Sequence, residues 1–124
     1  MNYRDLHAAF WWVVLFFVVI VIARALPAWL RKRDYTIFDS FLSVIFALVM
    51  LIEMVFGVFA YFQAFTLSPK VLEHIVIGFM AVAISWMLPL WRKVNSAKRH
   101  RIFFATGMMC LMLIFIGFGV LRES

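Results

Sequence analysis

Four long apolar runs, separated by short polar stretches, make up almost the whole chain. Each run is continuous rather than alternating, which excludes the apolar-out, polar-in strands of a membrane β-barrel. About 20 apolar residues are needed to cross the hydrocarbon core as a helix. The four runs reach that length and predict helices over about residues 8–30, 37–63, 71–91 and 102–121. The connections are short, so each helix is expected to pack against its sequence neighbour. The expected fold is an all-α, antiparallel four-helix bundle in a single domain spanning residues 1–124.

Local signals mark the helix ends. Asp34 or Thr36 can cap the second helix. Ser68-Pro69 opens the third, with proline in a first turn that tolerates it. Asn95 and Ser96 break the chain before the fourth. Pro27 and Pro89 lie near the inner ends of helices one and three, where neighbouring helices accommodate a kink. The first run is expected to be retained rather than cleaved. Its flank Met1–His7 is nearly neutral, and no small-x-small site closes it.

Composition strengthens this picture. Of 124 residues, 67% are hydrophobic and 19% aromatic, with a mean hydropathy of +1.03. A soluble domain is about 45–50% apolar, and a chain of this size has no interior large enough to hide the excess. Lipid is the expected solvent.

Charge gives the bundle a direction. The net charge of +6 is spread over the connections, so it reads as a topology signal rather than a nucleic-acid surface. Arg24, Arg31, Lys32, Arg33, Arg92, Lys93, Lys98, Arg99 and Arg101 fall at one side, with Arg24 expected to snorkel there. Only Arg4, Lys70 and Arg122 fall at the other. The positive-inside rule then predicts both termini outside (N-out/C-out) in a bacterial cytoplasmic (inner) membrane. Trp11 and Trp12 would mark the outer interface, Trp29 and Trp91 the inner one.

Polar groups inside a bilayer are rare and are functional candidates by default. His7 and His74 stand at similar depth at the outer ends of helices one and three, which lie diagonally in an up-down bundle. Each also opens a half of the chain, a loose internal repeat. Two imidazoles facing across a bundle can hold a haem iron from both axial sides. Phe10 and Trp11 lie one turn below His7. Gly78 lies one turn below His74, leaving room for a flat ring, and Arg4 and Lys70 lie where propionates would sit. Against this stands the plainer expectation that two interfacial histidines anchor helix ends.

Glu53 is the most costly residue, a carboxylate deep in the outer half of helix two. It can hydrogen-bond a histidine or a porphyrin edge, serve a quinone or a proton relay, or pack as a protonated acid. Ten residues from the outer end, it is expected about 15 Å down, where a haem hung from the outer histidines would reach it. Asp39 and His100 both fall near the inner interface and can pair with each other or with the basic connections. A metal site from Asp5, His7, Glu73 and His74 is conceivable but has no diagnostic spacing. The single cysteine, Cys110, has no disulfide partner and no metal or redox motif. No phosphate loop, nucleophile elbow or HExxH appears.

The sequence resembles a group of small bacterial four-helix membrane proteins, some of them labelled cytochrome b-like. The resemblance runs through Leu6-His7-Ala8-Ala9-Phe10-Trp11-Trp12, then Glu53, Gly57, Tyr61 and Phe62, then Ser68-Pro69, Glu73-His74 and Arg99-His100. It departs where the Ser-Gly-Leu-Arg that often follows the first histidine is Ala8-Ala9-Phe10-Trp11. It departs again where the usual glutamine of helix two is Glu53. The resemblance implies that His7, His74 and Glu53 share one site. The expectation is haem b held by His7 and His74, with electron transfer to or from quinone or a respiratory or photosynthetic complex. Two alternatives stay open: a cofactor-free accessory subunit of a larger membrane complex, and a small transporter using Glu53 in proton exchange.

Overall fold

The computed structural model describes residues 2–64, 68–90 and 96–122. They form four helices: α1 Tyr3–Leu30, α2 Ile37–Ala64, α3 Pro69–Leu90 and α4 Ser96–Arg122. All four are long and apolar enough to cross a membrane, the mark of a multi-pass membrane protein. Trp91, Arg92, Lys93 and Asn95 lie outside the described residues.

The helices start earlier than hydropathy alone predicts. α1 begins at Tyr3, because Asn2 caps it by accepting from the backbone N–H groups of Arg4 and Asp5. α4 begins at Ser96, so Lys98, Arg99, His100 and Arg101 lie on the helix rather than in the connection. Polar residues extend a helix beyond its apolar run without changing the backbone pattern that defines it. At the start of α2 the Thr36 carbonyl accepts from Ser40 N–H, but the capping oxygen belongs to Asp39 rather than to the hydroxyl of Thr36. The Thr36 N–H and Oγ1–H both donate to Asp39 Oδ2, at 2.9 and 3.0 Å. Ser68 opens α3, its Oγ accepting from Val71 N–H.

α1 packs against α2 and α4, and so does α3, which leaves α1 and α3 diagonal. Contacts between α1 and α2 join the start of one to the end of the other. Tyr3 N–H donates to Gln63 Oε1 at 2.9 Å, while Arg24 meets Asp39 near the opposite ends. In α3 and α4 the same pattern links His74 with Gly117 and Ala81 with Cys110. Tyr35 packs against His100, with the Arg99 guanidinium over its ring. The basic connection 31–33 therefore sits at the same end of the bundle as the basic start of α4.

α1 presents small residues to the core. α1 buries Val14, Val18, Val21, Ala25 and Ala28, at alternating spacings of four and three, and turns Trp12, Phe16 and Val19 outward. α1 is apolar all round, so hydrophobicity cannot select the inner face. Shape does, because small side chains let helices approach in the absence of a water-driven preference. Gly107 shows how close that approach is: a Cβ there would lie 2.9 Å from Ile22 Cγ1. Leu42, Phe46, Val49 and Met50 of α2, Ala81 of α3, and Phe103 and Cys110 of α4 complete the core.

One ion pair ties the basic end together. Arg24 Nε–H donates to Asp39 Oδ1 at 2.7 Å. Asp39 is fully buried, while the Arg24 side chain keeps 38% of its exposure. Arg24 therefore reaches the carboxylate in the first turn of α2, and Asp39 pairs with Arg24 rather than with His100. Breaking such a pair from one side leaves a buried charge behind. Arg24→Leu is expected to lower stability by about 3 kcal/mol, since it strands Asp39. The double substitution Arg24→Leu with Asp39→Leu should recover part of that loss. Unfolding in mixed detergent micelles measures both; a double variant no more stable than Arg24→Leu alone would contradict this role for the pair.

Candidate functional site

Polar groups gather at both ends of the bundle, and the candidate residues His7, His74 and Glu53 meet at the end away from the basic connection 31–33. His7 lies one turn into α1 and His74 one turn into α3. Their rings face each other across the diagonal, with centroids 6.1 Å apart and planes at 88°. Both are partly buried.

Each ring is held by a neighbouring helix. His74 Nδ1–H donates to the Gly117 carbonyl of α4 at 2.9 Å. His7 Nδ1–H lies 3.2 Å from the Glu53 carbonyl and 3.0 Å from Glu53 Oε1, both on α2. With Nδ1 as the donor, the lone pair of each ring resides on Nε2. This is the arrangement that orients a ligating histidine, its second nitrogen anchored by a carbonyl or carboxylate.

Glycines admit the rings. A Cβ on Gly57 would lie 3.0 Å from His7 Cε1, and one on Gly117 would lie 3.5 Å from His74 Nδ1. Neither glycine was singled out for the histidines by sequence reasoning. A usable signal existed for Gly57, which follows Glu53 by four residues and so shares its helix face. Gly117 had none, since its contribution is a backbone carbonyl. Gly78, expected beside the ring site, has nothing within 4 Å of where its Cβ would stand.

Of the roles expected for Glu53, contact with a histidine is the one present, although the depth differs. It was placed about 15 Å down, below the histidines. Instead its side chain, 13% exposed, sits directly on His7. Its Oε2 is buried and has no hydrogen-bond partner among the described residues. Two aromatic pairs link the same helices nearby: Phe10 meets Phe56 edge-on at 5.5 Å, and Trp11 stacks on Phe118 at 5.9 Å. Arg4 is exposed and Lys70 half-buried at the same end. Asp5 and Glu73 are exposed. Among the described residues no group of three or more His, Cys, Asp or Glu side chains is placed to hold a metal ion, so the four-residue metal site does not assemble.

A metal held between two imidazole nitrogens at about 2.0–2.1 Å puts the ring centroids roughly 6 Å apart. The His7–His74 separation matches that spacing. Mutually perpendicular ring planes are allowed, because each plane need only contain the ligation axis. The donor set, two imidazoles each engaged through Nδ1, suits haem iron.

The other end holds a different polar group. His100 is 1% exposed, beside Tyr35 and Phe103, and neither of its nitrogens has a hydrogen-bond partner among the described residues. Tyr35, in the connection before α2, donates to the Asp39 carbonyl at 3.2 Å. Burial pushes its phenol above its ordinary pKa, so it stays protonated as that donor. Ser43 and Ser85 return their hydroxyls to carbonyls of their own helices. Cys110 is fully buried, donating to the Ala81 carbonyl.

Comparison of the chain with protein-family models, curated proteins and solved structures finds no match.

The glycine contacts separate three substitutions. Gly107→Ala should destabilise by about 1–3 kcal/mol, since Ile22 and Val21 are tightly packed and must move. Gly78→Ala should leave the fold intact or stabilise it by up to about 1 kcal/mol. Gly57→Ala should fold but displace the His7 ring. Thermal unfolding and histidine ring NMR of the three variants check this ordering. Equal effects of Gly78→Ala and Gly107→Ala on stability would contradict it.

Proposed function

We propose that this protein is an integral membrane b-type cytochrome, with His7 and His74 as the axial ligands of one haem near the outer face. The observation that carries the reading is the His7–His74 pair: centroids 6.1 Å apart, with each Nδ1 engaged by a neighbouring helix. Haem supplies one-electron transfer, its potential set by axial ligands, their hydrogen bonds and burial. The chain's own part would be to hold the His7 and His74 rings by their Nδ1 atoms, which leaves each Nε2 for the iron. Arg4 and Lys70 stand at the end of the bundle where propionates would need cations. Electrons would pass to or from a quinone or a neighbouring membrane complex. The many outward-facing phenylalanines, Phe16, Phe41, Phe79 and Phe115 among them, give such a partner an apolar surface.

In this reading the bundle is antiparallel and oriented N-out/C-out in a bacterial inner membrane. The co-location of Arg31, Lys32 and Arg33 with Lys98, Arg99 and Arg101 at one end supports that orientation. It places the histidines at the outer face.

Two experiments test the proposal. Protein purified after expression with haem supply should show Soret and α bands of a low-spin haem b. His7→Ala and His74→Ala should each lose most of that absorbance. A colourless wild-type protein, or bands unchanged in both variants, would sink the reading; the colourless result would point to a cofactor-free accessory subunit. For orientation, Asn2→Cys should react with a membrane-impermeant maleimide on cells whose inner membrane is intact, and Lys32→Cys only after lysis. The reverse pattern would overturn the assigned direction. Cys110, fully buried, should contribute little background.

A further inference from the structure

The two histidines are not held alike. Each has one backbone carbonyl on Nδ1, from Glu53 for His7 and from Gly117 for His74. Only His7 has a carboxylate oxygen as well, at 3.0 Å. A single residue thus grips one ring through its backbone and its side chain together. Gly57, one turn further along the same face of α2, lets that ring press to within 3.0 Å of where a Cβ would be.

The carboxylate is only half paired, through Oε1 to His7. Glu53 Oε2 is buried without a hydrogen-bond partner among the described residues. A buried carboxylate oxygen left unpaired costs stability rather than adding it. Its twin, Oε1, is turned onto a nitrogen that a backbone carbonyl already engages. What the carboxylate adds is electronic. A charge-assisted hydrogen bond is about twice as strong as a neutral one, and it strengthens further in a low-dielectric interior. A carboxylate behind a ligating imidazole raises the basicity of its other nitrogen.

We propose that Glu53 is a positioning and tuning residue: through His7 Nδ1 it makes the two axial ligands unequal and lowers the reduction potential of the site. This inference rests on the reading of His7 and His74 as haem ligands. The physical reason is that a more electron-rich imidazole stabilises the oxidised iron over the reduced one. The His74 side, with a carbonyl alone, supplies the neutral reference within the same molecule.

The test is Glu53→Gln, which keeps the shape and an acceptor oxygen but removes the charge. The variant should bind haem with wild-type bands and stoichiometry. At a fixed ambient potential its ratio of reduced to oxidised haem should rise at least tenfold, about 59 mV for a one-electron couple. Should Glu53→Gln not fold, Glu53→Asp withdraws the carboxylate from Nδ1 and should shift the ratio the same way. A potential unchanged in the variant that folds, with intact bands, overturns this inference and leaves the haem reading standing. A wild-type protein without haem bands overturns both. A readout independent of haem is the ring N–H proton in the haem-free protein. His7 should resonate further downfield than His74, and the difference should vanish in Glu53→Gln. Equal shifts in the wild type overturn the inference.

Discussion

In a hydrocarbon solvent a buried polar side chain has no water to fall back on, so it must find a partner within the protein or be expensive. The His7–Glu53 contact meets that demand at one end of the bundle, and the Arg24–Asp39 pair meets it at the other. Between them the described interior is nearly free of charge, with Val and Ala of α1 packed against Phe46, Phe103 and their neighbours. The two polar ends are therefore separate. The basic end is a clamp: Asp39 ties the cap of α2 to the last turns of α1 through Thr36 and Arg24. The other end brings two imidazoles together, each with Nδ1 engaged by a neighbouring helix, and it is on that pair that the proposed function rests.

The small-residue face of α1 matters to the site as much as the histidines do. Close approach of helices brings α2 and α4 near enough for their backbone atoms to anchor side chains on α1 and α3. The His7 ring reaches the Glu53 carbonyl past Gly57, where a Cβ would stand 3.0 Å from the ring, while a Cβ on Gly117 would meet His74 only at an ordinary 3.5 Å. Precise ligand orientation is thus a consequence of helix packing rather than a feature added to it. Both histidines sit on helices, where rotamers are constrained, which favours a preorganised site.

Much of this was legible in the sequence. Four spans followed from run length, the α3 cap from Ser68, and the shared level of His7 and His74 from their places at the starts of alternate helices. The illegible parts have physical reasons. Asn2 and Ser96 start helices in polar sequence, where hydropathy says nothing about backbone hydrogen bonding. Arg24 was read by its charge alone, and its contact with Asp39 depends on that residue being within reach from another helix. The depth of Glu53 was counted along its own helix, but contact with His7 depends on how α1 and α2 are offset and on the reach of both side chains. Gly117 acts through a carbonyl, which every residue has, so no residue type announces it.

The central claim is that His7 and His74 meet as a pair around one iron, and low-temperature electron paramagnetic resonance of the oxidised protein in its native membrane addresses it most directly. Two imidazoles with planes near the observed 88° predict a highly anisotropic low-spin ferric signal that disappears when either histidine is replaced. A high-spin signal, or no haem signal from membranes rich in the protein, would contradict it.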